Sequence, residues 1–255
     1  MMKPVDYDKV APIYDRRYST DHLAGVEECL STWMRQARAC RVLEAGCGTG
    51  HWLTTLKGCE LCCGLDFSSG MLHKAMQKDG RLPLVQGTAV QLPFGSNAFD
   101  LVFCVNAIHH FPDPALFIRE AHRILRKGGL LAIVGMDPQT EPDRWYLYDY
   151  FPGTCETDRA RYPSGEMIRS WMKDAGFPSS ERQPGVRIDH DFAGREVLGD
   201  PTLQKNGTSQ LSLLTDEAFQ AGMARIEETL QQAEKRGESI IFPTHIALPA
   251  VVGIC

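Results

Sequence analysis

Five short apolar runs punctuate residues 41–134, and most are separated by stretches of helical periodicity. The runs are Val42-Leu43, Leu61-Cys62-Cys63-Gly64-Leu65, Pro83-Leu84-Val85, Leu101 to Val105 and Leu130 to Val134. The fourth is apolar at every position, as strands buried on both faces of a parallel sheet are. Between the runs, helices are expected through Trp52, Leu53 and Leu56, from Ser69 to Lys78, and from Asp113 onward. Asp113 and Pro114 suit the cap and first-turn positions. Phe117, Ala121, Ile124 and Leu125 then form an apolar stripe that Lys127-Gly128-Gly129 is expected to stop. Strand and helix in alternation predict an α/β fold, a doubly wound and mostly parallel sheet.

The flanks are less regular. Residues 1–38 read as helical, with Tyr7, Val10 and Tyr14 on one face, an interruption at Pro12, and Thr20 capping a second helix through Leu23, Val26, Leu30, Trp33 and Met34. Residues 137–163 are dense in aromatics, prolines and charges. Ser164 caps a helix through Ile168, Trp171 and Met172 that Gly176 closes, and Thr215 opens another through Phe219, Met223, Ile226 and Leu230 that ends at Gly237. Residues 180–190 and Ile246 to Val252 supply two more strands, which makes seven.

A chain of 255 residues fits one domain with elaborations. Its net charge of −5, spread without blocks, argues against a nucleic-acid partner. No stretch of about 18 apolar residues is present, so no membrane span is expected. Met1 to Asp6 lack an apolar signal region. Nine cysteines, several inside apolar runs, read as buried free thiols of a reducing cytoplasm. Cys59-x-x-Cys62 has no second pair at metal-ligand spacing, so no metal is expected.

Chemistry concentrates where the first strand turns. Val42-Leu43-Glu44-Ala45-Gly46-Cys47-Gly48-Thr49-Gly50 leaves a strand and enters a helix. Glycines there permit a tight turn and let a ligand lie against the backbone. A dinucleotide fingerprint needs a third glycine at the position held by His51, so the spacing is G-x-G-x-G. A nucleoside with an amino-acid tail needs no phosphate-binding helix end, only a close backbone wall. Asp66 ends the second strand, where a carboxylate accepts both hydroxyls of a ribose and repels a 2′-phosphate.

These residues resemble the class I S-adenosylmethionine-dependent methyltransferases, in particular the small-molecule branch that includes the ubiquinone/menaquinone-type enzymes. Glu44 through Gly50 matches the first motif and Asp66 the acidic second-strand motif. Gln86 through Phe94, Phe99-Asp100, Ala107-Ile108-His109-His110-Phe111 and Arg123 through Gly129 match four later motifs in the same order. The resemblance implies a seven-stranded Rossmann-like sheet with helical cap insertions. In one domain, 1–255, residues 40–136 would form the cofactor-binding core, 1–38 an N-terminal cap, and 137–163 and 190–236 the acceptor-site cap. It implies S-adenosylmethionine as cofactor, with S-adenosylhomocysteine as product, held by Glu44, Gly46, Cys47, Gly48, Gly50, Asp66, Phe67, Met71, Thr88, Ala89, Val105 and Asn106. Thr88 stands where the family often has an aspartate toward the adenine amino group, so that contact loses its charge.

A small, partly apolar or aromatic acceptor is expected near Tyr14, Arg17, Trp145, Tyr146 and Tyr150, with Arg17, Arg144 and Arg187 as anchors for an acidic group. His109 and His110 are the candidate catalytic residues. One is expected to face the transfer crevice and the other to brace the loop, the former titrating near an ordinary pKa of about 6.5. Two alternatives stand beside this reading: a noncatalytic S-adenosylmethionine-binding protein and, disfavoured by His51, a nicotinamide-dependent reductase.

Overall fold

Strand β1 (Arg41–Ala45) lies at the middle of the five parallel strands, with all but its first residue buried. β2 (Leu61–Asp66) and β3 (Leu84–Gln86) extend the sheet on one side, and β4 (Phe99–Val105) and β5 (Leu125–Val134) on the other, all parallel. In this computed structural model the described residues are 5–18, 24–140 and 143–255. The sheet closes with antiparallel strands. β8 (Ile241–Ile254) pairs with β5 through Ala250–Ile254, and β7 (Ser179–Ala193) runs along the other side of β8. Those seven strands are the expected sheet. An eighth, β6 (Arg144–Trp145), is two residues long and pairs with Thr244 and His245 of β8.

Alternation along the strands feeds two cores. Val42, Leu101, Phe103, Leu130 and Ala132 pack on one face with Val26, Leu30 and Trp33 of a helix spanning Ala24–Ala37. Leu43, Leu65, Val102, Leu131 and Ile133 pack on the other with Phe117, Ala121 and Ile124 of the helix Pro114–Ile124, and with Ile168 and Met172 of the helix Gly165–Ala175. Asp113 and Ser164 cap these two helices as expected, accepting from Leu116 N–H and Met167 N–H. The glycine pair does not stop the former. It ends at Ile124, because Leu125 already pairs with Phe99, and Gly128, at φ +76°, shapes an exposed turn inside β5.

Two further differences concern the N-terminal region and the cysteines. The expected first helix is split around Pro12 into one turn, Tyr7–Val10, and a 3₁₀ segment, Tyr14–Tyr18. The proposed cap Thr20 and Leu23 lie outside the described residues. Cys59 and Cys62, read as free thiols, are joined in a disulfide, their Cα atoms 6.1 Å apart and thus within bridging reach. Among the described residues no cluster of three or more His, Cys, Asp or Glu is placed to hold a metal, and no helix is long and apolar enough to cross a membrane.

Candidate functional site

The chain leaves β1 through three glycines in the left-handed region, Gly46 at φ +71°, Gly48 at +53° and Gly50 at +69°. A side chain at Gly46 would also collide, since its Cβ would lie 2.6 Å from that of Ala107. Three backbone N–H groups turn back toward β2. Those of Gly46 and Cys47 donate to the Leu65 carbonyl at 2.7 and 3.0 Å, and that of Gly48 donates to Asp66 Oδ2 at 2.8 Å. The other Asp66 oxygen accepts from Ser68 N–H at 2.8 Å. Asp66 is therefore a brace between the glycine turn and the start of the helix Ser69–Lys78, as well as a group facing a cavity. Burial pushes its pKa up, against the pull of these N–H donors.

That cavity has a volume of about 650 Å³. Of the twelve residues expected to hold the cofactor, Gly46, Gly48, Asp66, Phe67, Met71, Thr88, Ala89, Val105 and Asn106 line it. Glu44, Cys47 and Gly50 do not. The Cys47 side chain is tucked against Leu53 and Leu72, away from the opening. Gly50 is the left-handed N-cap of the short helix His51–Thr55, where an added Cβ would lie 3.3 Å from that of Ala75. Glu44 is 1% exposed, and its Oε2 has no partner among the described residues. Burial, then the nearby Asp66, holds its carboxyl well above the usual range.

Residues 5–18 cross this cavity as a strap. Asp8 Oδ1 accepts from Ser68 Oγ at 2.6 Å and from Gly70 N–H at 2.8 Å. Asp15 Oδ1 accepts from Thr49 Oγ1 at 2.5 Å and from Lys78 Nζ at 2.8 Å. Two carboxylates thus tie the strap to the glycine turn and the following helix. Next to these carboxylates in the chain, Tyr7 and Tyr14 line the cavity.

A second cavity, of about 290 Å³, adjoins the first. Tyr7, Tyr14, Val105, Asn106, His109 and His110 line both, so these six form the shared wall. Its far side is the face of β7 and β8, with Ile188, His190, Thr244 and Ile246. Of the residues expected near the acceptor, Tyr14, Arg17 and Trp145 line it. Arg17 lies 3.7 Å over the Tyr14 ring and donates to the Gly207 carbonyl at 2.9 Å. Tyr146 and Tyr150 do not line it. The one-turn helix Tyr146–Tyr150 turns Tyr146 into the core, where its hydroxyl donates to Asp200 at 2.7 Å, and sets Tyr150 against Phe242. Arg144 and Arg187 also miss both cavities. Arg144 is exposed on β6, and Arg187 is ion-paired with Asp189 at 3.2 Å.

The two histidines depart from expectation. A 3₁₀ turn, Ile108–His110, presents both rings to both cavities, their centroids 3.9 Å apart, so neither is merely a brace. His110 Nε2 meets the Tyr7 hydroxyl at 2.5 Å. His109 stacks on Tyr162 at 3.7 Å, and neither of its ring nitrogens has a hydrogen-bond partner among the described residues. Neither titrates near neutrality. Burial, then the guanidinium groups of Arg161 and Arg17, pulls His110 down to about 3. Burial, His110 and Arg161 push His109 well below its usual range. Tyr7, Arg161 and Tyr162 were not anticipated. Tyr7 was legible only as one residue of an apolar face, and Arg161 and Tyr162 reach the site from a helix, Thr154–Arg161, that has no apolar stripe to announce it.

Comparison with known proteins gives a consistent picture. Residues 43–133 match a family described as a methyltransferase domain. A demethylmenaquinone methyltransferase of Lactiplantibacillus plantarum is 33% identical over 204 residues, 67% of this chain and 85% of that protein. Its namesake in Geobacillus kaustophilus is 32% identical over 218 residues, 72% and 93% of the respective chains. In fold, the chain is similar to a crystal structure from Anabaena variabilis provisionally assigned as a methyltransferase of an antibiotic biosynthesis pathway. The TM-score is 0.69 at 20% identity, over 89% of this chain and 96% of the other.

Proposed function

This chain belongs to the class I S-adenosylmethionine-dependent methyltransferases, and from that premise we propose that the larger cavity holds S-adenosylmethionine while the smaller holds a small aromatic or partly apolar acceptor. The observation that carries this reading is the shared wall. A donor in one cavity and an acceptor in the other meet at Tyr7, Asn106, His109 and His110. The name of the similar enzymes, demethylmenaquinone methyltransferase, favours a quinone-like ring, and the aromatic and aliphatic lining agrees with one.

The larger cavity fits the donor on its own geometry. The bare backbone at Gly48 lines the cavity, where an added Cβ would come 3.7 Å from the Tyr14 ring across it. Asp66 offers a carboxylate for the ribose diol, and Thr88 and Ala89 form the adenine end of the wall. When bound, the cofactor supplies a methyl group already activated by a sulfonium sulfur. The protein's own work is to orient the acceptor, exclude water and manage one proton. Tyr7, whose phenol burial holds protonated, shares a hydrogen bond with His110 Nε2; with the phenol as donor, the proton of the neutral His110 ring sits on Nδ1. His109, with no hydrogen bond at either nitrogen among the described residues, offers a lone pair at the shared wall and is the proton acceptor in this reading. A base so reluctant to be charged suits an acceptor hydroxyl that is acidic to begin with.

Titration calorimetry tests the assignment. S-adenosylmethionine and S-adenosylhomocysteine should bind in the micromolar range or tighter, and NADH should not. Incubation with S-adenosylmethionine and a reduced 1,4-naphthoquinone should then yield a product heavier by one methyl group. A heat signal with NADH and none with either sulfur nucleoside would reject the assignment. Tight binding without transfer to any aromatic acceptor would leave a noncatalytic binding protein.

A further inference from the structure

The floor of the smaller cavity is built from three adjacent strands. In register, Trp145 of β6 pairs with Thr244 of β8, and Thr244 pairs on its other side with His190 of β7. Next to this row, Ile188 pairs with Ile246, and all five side chains line the cavity. The floor is therefore apolar except for one polar row. Trp145 is 6% exposed and Thr244 8%, yet neither Trp145 Nε1 nor Thr244 Oγ1 has a hydrogen-bond partner among the described residues. Residues directly opposite in an antiparallel pair have Cβ atoms about 4.5–5.5 Å apart, so the two groups flank a common point. An indole N–H only donates, and a threonine hydroxyl donates or accepts. Buried donors are rarely left unmade, because burial without a partner costs more than the bond gains. Neither residue lines the larger cavity, so this point lies away from the shared wall.

The geometry points to a two-donor seat, Trp145 Nε1 and Thr244 Oγ1, that receives an oxygen of the acceptor at the end opposite its reacting atom. This rests on the smaller cavity being the acceptor site, and it narrows the acceptor class. The molecule is a small ring system with a nucleophilic atom at one end and a hydrogen-bond-accepting oxygen, a carbonyl or a hydroxyl, at the other. A purely apolar tail would leave both donors buried and unmade. Sites built to hydrogen-bond a substrate group discriminate strongly against analogues that lack it.

The test compares 4-hydroxyacetophenone with 4-ethylphenol, which differ by a carbonyl oxygen. Each is titrated at pH 6, where both phenols are neutral, into the full chain saturated with S-adenosylhomocysteine. The ketone should bind about 5–30-fold more tightly. Trp145→Phe and Thr244→Val, which keep ring and branched shape, should each remove most of that preference while S-adenosylhomocysteine affinity and melting temperature hold. Equal affinity of the two phenols for the unmodified protein would overturn the seat, as would a preference that survives both substitutions. Failure of either phenol to bind the loaded protein would overturn it too. If S-adenosylhomocysteine itself does not bind, the functional assignment has failed rather than the seat alone, and the first titration separates the two results.

Discussion

Replacing Asp66 tests the donor site most directly, because the structure gives its carboxylate two duties. Each oxygen already accepts one backbone N–H, from Gly48 at 2.8 Å and Ser68 at 2.8 Å. Lone pairs remain on each oxygen for the ribose hydroxyls. In Asp66→Ala the ribose loses a charged acceptor worth about 1.5–3 kcal/mol, so the affinity for S-adenosylhomocysteine should fall by roughly 10–150-fold. The Gly48 and Ser68 N–H groups also lose their acceptor. Both line the cavity, where water can reach them, so the stability loss should sit near the low end of about 1–3 kcal/mol. Asp66→Asn keeps one acceptor oxygen and should retain one of the two backbone bonds, which places its affinity between those of alanine and the native residue. Burial raises the pKa of Asp66, so native affinity should weaken on acidification at a higher pH than for an ordinary aspartate, and this step should vanish in both variants. Titration calorimetry from pH 4.5 to 8, with urea midpoints for stability, reads all of this. A folded alanine variant that binds S-adenosylhomocysteine within threefold of the native protein would refute the role given to the carboxylate.

Two further outcomes concern the shared wall. Folded His110 titrates at about 3 against an ordinary value of about 6.5, so between those pH values the unfolded chain binds a proton that the folded one does not. Stability should therefore be indifferent to this group above pH 7 and fall on acidification, by about 2 kcal/mol from pH 7 to 5. His110→Gln should flatten that slope in urea titrations, and an unchanged slope would contradict the neutral, buried ring. The strap should exchange amide hydrogens more slowly once S-adenosylhomocysteine is bound, because Tyr7 and Tyr14 line the cavity it fills. Equal exchange at residues 5–18 with and without the nucleoside would count against the strap as a wall of the site.

Local chemistry explains what the sequence made legible. The glycine turn, Asp66 and the run of five parallel strands are written in adjacent residues, each with a requirement that few side chains meet. A left-handed φ at Gly46, with Ala107 pressed against it, is one such requirement. The smaller cavity is different. Its lining comes from the strap, the turn after β4, Trp145, the β7–β8 face and residues near Asp200, so it exists only once distant segments meet. Tyr146 looked like a site residue because it stands in an aromatic cluster, but the chain passes from strand to helix between Trp145 and Tyr146, and of these two only Trp145 faces the cavity. The histidine pair failed for a related reason. A 3₁₀ turn was not foreseen, and its tight pitch lets neighbouring rings converge on one opening.

The electrostatics of the shared wall follow from the same convergence and constrain the chemistry. Arg17 arrives with the strap and Arg161 with the helix Thr154–Arg161, and no ion pair forms at either among the described residues. Asp200, an acid lining the smaller cavity, is already spent on Tyr146 and Thr202. Positive charge therefore surrounds two histidines that burial has made hard to protonate. A weakly acidic acceptor that sheds its proton to His109 only during transfer would leave the charge given up by the sulfonium on that buried ring, against the Arg161 guanidinium. An acceptor that loses its proton easily, such as an acidic ring hydroxyl, presents instead an anion that Arg17 and Arg161 stabilise. On the proposed reading the wall favours acidic oxygen nucleophiles over amines, because an anion cancels the sulfonium charge on transfer, whereas an amine carries that charge on beside the two guanidinium groups.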